Sequence, residues 1–201
     1  MNREAYNRIA RRWQALRKGF YDREQAYLDL LIAALAPGST VLDLGCGNGS
    51  PMAAYVVACG HRIVGVDQAD AQLALARTSL PAQTWVLASM EEYGFEHAYD
   101  AVILWDSLFH IQRTAHANVL GRAVEGLPNG GRLMLTVGGS EHPAFTDTLL
   151  GETVFYDSNT PEETRAILEG LGCQVLLGEF MNLPTAGRDK GRYMFVVEKA
   201  V

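Results

Sequence analysis

The chain has 201 residues, 48% of them apolar and 20% charged, which suits one globular domain with a real core and excludes disorder, collagen or coiled coil as a description of the whole. Lys and Arg number 17 against 23 Asp and Glu, giving a formal charge of −6 and a pI near 5.3; that is the wrong sign for a generic phosphate-binding surface, and no nucleic-acid partner is expected. Cys46, Cys59 and Cys173 are widely spaced and form no C-x-x-C pattern, so neither a disulfide framework nor a metal site is suggested and a reducing compartment fits.

Residues 1–23 concentrate positive charge in Arg3, Arg8, Arg11, Arg12, Arg17, Lys18 and Arg23, against Glu4 and Asp22 alone, and read as a solvated helix face, with steering of an anion or substrate as the alternative. Tyr6, Ile9, Ala10, Trp13 and Leu16 recur at helical spacing, so the arginines turn away from an apolar stripe in a helix that serves as a lid or packed appendage. This stretch lacks the apolar segment of a signal peptide, and no run reaches the ~18 to 20 apolar residues that span a bilayer; a cytoplasmic protein without a membrane partner is expected. Asp22 and Gln25 resemble a capping box opening a second helix, with Tyr27, Leu28, Leu31, Ile32 and Leu35 on its buried side and Pro37-Gly38 as its stop.

From Thr40 the texture changes to short apolar runs that alternate with helical stretches, the pattern of a parallel α/β sheet. Strands are expected near 40–44, 62–66, 83–87, 99–105 and 131–137, helices near 50–59, 70–79 and 113–127, and a shorter turn at Met90 to Tyr93. The stretch 140–158, with Phe145, Phe155 and Tyr156, reads as a loop or small insertion on the substrate side. Thr160-Pro161-Glu162-Glu163 is a strong helix start. Gln174 to Asn182 and Tyr193 to Lys199, joined through the polar stretch Gly187 to Gly191, read as an antiparallel hairpin. A single domain over 1–201 is expected: N-terminal helices over 1–36, a core over 37–139, the insertion over 140–158, and a helix and hairpin over 159–201.

The strongest chemical signal is Val41-Leu42-Asp43-Leu44-Gly45-Cys46-Gly47-Asn48-Gly49, a buried strand running into a glycine turn that opens a helix. Such a turn brings backbone close to a ligand and offers free N–H groups. Val64-Gly65-Val66-Asp67 ends the next strand, 22 residues past Gly45, with a carboxylate that can accept both hydroxyls of a ribose. A dehydrogenase fingerprint G-x-G-x-x-G would need glycine where Ser50 stands.

The spacing G-x-G-x-G, with Asp43 two residues ahead, resembles the class I S-adenosylmethionine-dependent methyltransferases. Tyr6-Asn7-Arg8-Ile9-Ala10 is similar to the start of many small bacterial members, Trp105-Asp106-Ser107-Leu108-Phe109-His110 to their segment after strand 4, and Gly130-Gly131 precedes strand 5 as in that family. The resemblance implies a Rossmann-like, doubly wound, seven-stranded sheet, mostly parallel with an antiparallel C-terminal strand and helices on both faces. It implies that Gly45, Cys46, Gly47 and Gly49 wrap the methionine moiety, that Asp67 holds the ribose and Gln68 lies against the adenine, and that Asp43 supports the loop and the cofactor's amino group. Ser89 stands where many relatives place an aspartate toward the adenine, with Met90 beside it; Tyr6 closes over the cofactor, and Trp13 and Trp105 are candidate pocket walls, as are Phe109, Phe155 and Tyr156.

Methyl transfer is an in-line displacement that needs alignment and exclusion of water, with a base only where the acceptor must lose a proton. Asp106 and His110 are the candidates, because on a helix their i, i+4 spacing puts both on one face. His61, His97, His116 and His142 share no spacing and read as surface or loop residues. The expected activity is methyl transfer to a small-molecule acceptor. Nucleic-acid base methylation is disfavoured, because Trp105-Asp106-Ser107-Leu108 replaces the Asn/Asp-Pro-Pro-aromatic segment of relatives that methylate exocyclic amines. The alternatives are a non-catalytic S-adenosylmethionine-binding regulatory protein and, with less support, a nucleotide-dependent oxidoreductase.

Overall fold

The computed structural model describes residues 2–95, 98–186 and 189–200; His97 and Gly187, named above, lie outside them. In chain order the elements are α1 (Asn2–Leu16), α2 (Glu24–Ile32), β1 (Thr40–Leu44), α3 (Met52–Ala58), β2 (Arg62–Asp67), α4 (Asp70–Ser79), β3 (Thr84–Leu87), β4 (Ala101–Leu104), a 3₁₀ turn (Leu108–His110), α5 (Arg113–Glu125), β5 (Arg132–Gly138), β6 (Phe145–Leu149), β7 (Glu152–Tyr156), α6 (Pro161–Gly170), β8 (Cys173–Asn182) and β9 (Arg192–Lys199). Seven strands form one sheet in the order β3-β2-β1-β4-β5-β9-β8. The first five run parallel, and β9 is antiparallel to both β5 and β8.

Apolar pattern explains the layers. All four residues of β4, Ala-Val-Ile-Leu, are buried, as befits a central strand covered on both faces. Leu42, Leu44, Val102, Leu104 and Leu135 pack toward α5 and α6, while Val41, Ile103, Met134 and Val196 meet Tyr27, Leu28 and Leu31 of α2 and Val56 of α3. The winding reverses between β1 and β4, which opens a crevice at their carboxyl ends. The start of α6 is a capping box as expected: the Thr160 Oγ1 accepts from the Glu163 N–H (3.2 Å), and the Glu163 carboxylate accepts from the Thr160 N–H (2.8 Å).

Three expectations change. The capping box at Asp22 and Gln25 is absent: Asp22 sits in a left-handed turn (φ 47°), and α2 starts at Glu24 with no side-chain cap. Glu24 instead turns back to accept the Tyr21 N–H at 2.8 Å and pair with Arg17 at 2.6 Å, and the helix ends at Ile32, well short of Pro37. Residues 140–158 are not a plain loop, because β6 and β7 form their own antiparallel hairpin, turned through Leu150 (φ 48°) and Gly151 (φ 82°). The segment after β4 is a three-residue 3₁₀ turn rather than an α-helix.

α1 lies across α4 and the hairpin. Asn2 donates to the carbonyls of His110 (2.9 Å) and Phe155 (3.0 Å) and accepts from the Phe155 N–H (2.7 Å). The Asn7 Oδ1 accepts the Ala71 N–H at 2.9 Å, capping α4 from another element. Arg8 pairs with Glu152 at 2.7 Å.

Candidate functional site

The glycine turn leaves β1 with Gly45, Gly47 and Gly49 all left-handed (φ 80°, 55° and 77°), a conformation that L side chains adopt only with strain. The N–H groups of Gly45 and Cys46 both donate to the Val66 carbonyl (2.8 and 3.1 Å), which ties the turn to β2. A Cβ on Gly45 would stand 2.3 Å from the Ser107 Cβ. One on Gly47 would meet only the Gln72 Oε1, at 3.9 Å, so the space above that peptide belongs to the cleft.

Asp67 ends β2 at this turn. Its Oδ2 accepts the Gly47 N–H (2.9 Å) and its Oδ1 the Ala69 N–H (2.8 Å). Burial pushes its acidity range up, while the N–H groups of Ala69, Gly47 and Gln68 pull the other way. Asp43, 3% exposed, is pushed up to about 7 by burial, with the Asp67 charge adding. Burial likewise raises the Cys46 thiol, ahead of the nearby Asp43 and Asp67 charges, so Cys46 enters as packing and backbone rather than as a thiolate.

One cleft gathers Tyr6, Trp13, Asp43, Gly45, Cys46, Gly47, Asp67, Gln68, Ser89, Met90 and Trp105 together with Asp106 and His110. It encloses about 930 Å³ of atom-free space, mouth included. Gly49 does not line it; a Cβ there would stand 2.9 Å from the Trp85 Cη2, so this glycine admits the Trp85 ring behind the turn. Sequence reasoning missed Arg17 and Gln72. Arg17, the sole Lys or Arg among the described residues lining the cleft, is 5% exposed and held by Glu24, whose other oxygen accepts the Trp105 indole N–H at 3.0 Å. The reading of this arginine as part of a solvated face is therefore corrected: α1 ends at Leu16, and the chain carries Arg17 inward.

Asp106 and His110 do not share a helix face. Asp106 is left-handed (φ 48°) ahead of the 3₁₀ turn, and its carboxylate meets Arg192 at 2.6 Å and the Thr136 hydroxyl at 3.2 Å. The His110 Nδ1 lies 3.0 Å from the Phe155 carbonyl and its Nε2 2.8 Å from the Tyr6 hydroxyl. A carbonyl only accepts, so Nδ1 carries the proton and Nε2 accepts the Tyr6 O–H. Burial drives His110 down to about 4 and the Tyr6 phenol well above its ordinary value, which keeps both neutral. His116 is neither a surface nor a loop residue, being fully buried in α5, whereas His142 lies in a loop as expected, 8% exposed there. His61 is half-buried.

A second cavity, about 1040 Å³ with its mouth, adjoins at the hairpin and is lined by Phe109, His142, Phe145, Tyr156, Ser158 and Arg192 among others. Phe145 and Tyr156 stack at 5.2 Å and 14°, and Phe109 extends the stack. Phe155 lines neither cavity and contributes its backbone to Asn2. Because Asp106 faces the first cavity and Arg192 the second, their ion pair forms part of the partition.

Residues 41–131 match the family described as "Methyltransferase domain". A trans-aconitate 2-methyltransferase from Azoarcus sp. (strain BH72) is 32% identical over 121 residues, which are 57% of this chain and 45% of that protein, so the match spans under half of the relative's length. Among solved structures, a Burkholderia thailandensis 1,6-didemethyltoxoflavin N1-methyltransferase with 1,6-didemethyltoxoflavin and S-adenosylhomocysteine bound shares the fold at TM-score 0.66 and 21% identity, covering 88% of this chain and 78% of that one. A magnesium protoporphyrin IX methyltransferase from Synechocystis PCC 6803 with S-adenosylmethionine bound gives 0.72 and 18%, covering 98% and 95%. The residues present fit that cofactor: open space over Gly47, an acid beside it, and a buried amide at Gln72 with no partner. No helix among the described residues is long and apolar enough to cross a membrane. Strand order, the glycine turn with the strand-end acid Asp67, and the match over residues 41–131 agree in marking a methyltransferase domain, similar to the S-adenosylmethionine-dependent methyltransferases.

Proposed function

We propose that this chain methylates a small-molecule acceptor seated in the cavity under the β6–β7 hairpin. The observation that carries this reading is the pair of adjoining cavities, one holding the glycine turn and Asp67, the other walled by stacked aromatic rings, with the Asp106–Arg192 pair between them. When bound, S-adenosylmethionine supplies a methyl on a positively charged sulfur, open to in-line displacement. Asp67 holds the ribose, Gln68, Ser89 and Met90 border the adenine, and the backbone of Gly45, Cys46 and Gly47 borders the methionine end. Asp43 faces the amino group and Arg17 the carboxylate, a division that follows from charge. Tyr6, Trp13 and Trp105 exclude water.

The two candidate catalytic residues take unequal parts. His110 is neutral and both ring nitrogens are engaged, so it positions the Tyr6 oxygen rather than taking the acceptor's proton. Asp106 reaches the partition and, with Arg192, orients the acceptor. This arrangement suits a nucleophile that arrives ready, such as a carboxylate, a phenolate or a free amine.

The test is calorimetric titration of the protein and its Asp67→Ala variant with S-adenosylhomocysteine, with NADH as comparison. One-to-one binding of the thioether nucleoside alone, weakened about tenfold or more in the variant, is expected from loss of a charge-assisted hydrogen bond. Binding of NADH alone overturns the cofactor assignment. Release of S-adenosylhomocysteine on incubating S-adenosylmethionine with carboxylic acids, phenols and amines reads the transfer itself, and binding without release across that panel favours a regulatory protein.

A further inference from the structure

Gln72 sits in the first turn of α4, is fully buried, and lines the cofactor cleft. Neither its Nε2 nor its Oε1 has a hydrogen-bond partner, and both are sealed from water. A buried amide with both ends unmet is costly, and such groups in folded proteins point to strain, function or a ligand that completes them. Simple packing would be served better by Met or Leu at this position, which lies between the apolar side chains of α4 and the turn.

We infer that Gln72 is a cofactor-binding residue that completes the ribose site opened by Asp67, an inference that rests on the cofactor reading above. Gln72 and Asp67 flank one peptide: the Gly47 N–H donates to the Asp67 Oδ2 at 2.9 Å, and a Cβ on Gly47 would lie 3.9 Å from the Gln72 Oε1. The ionised carboxylate can only accept, so it takes protons from the two ribose hydroxyls and leaves their oxygens wanting a donor. The Gln72 amide offers that donor through Nε2 and an acceptor through Oε1, the complement that a carboxylate lacks. Asn7 of α1 caps the neighbouring Ala71 N–H at 2.9 Å and so fixes the helical turn from which Gln72 projects.

The experiment titrates wild type and Gln72→Met calorimetrically with S-adenosylhomocysteine and with its 2′,3′-dideoxyribose analogue, and melts both proteins without ligand. Gln72→Met should bind S-adenosylhomocysteine about tenfold more weakly while binding the dideoxy analogue as wild type does, and the free variant should melt higher because the unmet amide is gone. Equal losses for both ligands, an undiminished affinity for S-adenosylhomocysteine, or a lower melting temperature in the free variant overturns the inference. Failure of wild type to bind S-adenosylhomocysteine at all overturns the cofactor reading and this inference with it; undiminished binding by the variant overturns the inference alone.

Discussion

Replacing Asp43 by Asn isolates the energetics of the cofactor turn. Asp43 lies in β1 at 3% exposure and is pushed up to about 7 by burial, with Asp67 adding, whereas an unfolded aspartate titrates near 3.9. The fold therefore keeps a proton that the unfolded chain releases, and stability falls as the pH rises through the window from about 4 to about 7. A shift of about three pH units at ~1.36 kcal/mol each makes the whole effect about 4 kcal/mol, of which about 2 to 3 kcal/mol falls between pH 5 and 8. Asn has the same shape and no proton to lose. Urea unfolding of both free proteins at pH 5 and pH 8 should show the stability difference moving toward Asp43→Asn by that amount. Titration of His110 and His116, both driven to about 4 by burial, is common to the two proteins and drops out of the difference. A difference that holds constant within about 0.5 kcal/mol across the range would refute the assignment of a protonated Asp43 to the free protein.

Two further substitutions test the frame around the site. Asn2→Ala removes two donated and one accepted hydrogen bond and strands the Phe155 N–H, so a loss of about 2 to 4 kcal/mol is expected in urea unfolding; a change under about 0.5 kcal/mol would show that α1 is not fastened there. Gly49→Ala forces a left-handed residue and a Cβ 2.9 Å from Trp85, at a cost of roughly 1 to 3 kcal/mol. Its affinity for S-adenosylhomocysteine should stay within about threefold, because Gly49 does not line the cleft, and a large affinity loss without loss of stability would put it at the ligand.

Where local chemistry has one solution, the sequence was legible. Apolar runs ending in Gly or Asp could only be buried parallel strands, and Thr160, Pro161 and Glu163 had no reading other than a helix start. The hairpin at 145–156 escaped because Leu150 takes the first left-handed position of its turn, where Asn or Asp gives the usual signal. Asp22 was misread because it takes a left-handed turn, while Glu24 reaches back to the Tyr21 N–H and brings a buried arginine with it. Of the site, the glycines and Asp67 show in spacing alone. Gln72 and Arg17 do not, since a lone polar residue in a helical stretch looks like surface until tertiary packing closes over it. The i, i+4 relation of Asp106 and His110 failed for a similar reason: Thr136 and Arg192, distant in the chain, pull Asp106 out of any helix.

The two asparagines of α1 make distant parts of the backbone report on one another. The amide of Phe155 in β7 is held by Asn2, and that of Ala71 in α4 by Asn7; neither proton is covered by its own strand or helix ladder. The two asparagines stand five positions apart on a single helix, so lifting α1 exposes both amides in the same event. Their deuterium exchange should follow one opening rate, faster than that of the sheet beneath and slowed in parallel by anything that holds the helix down.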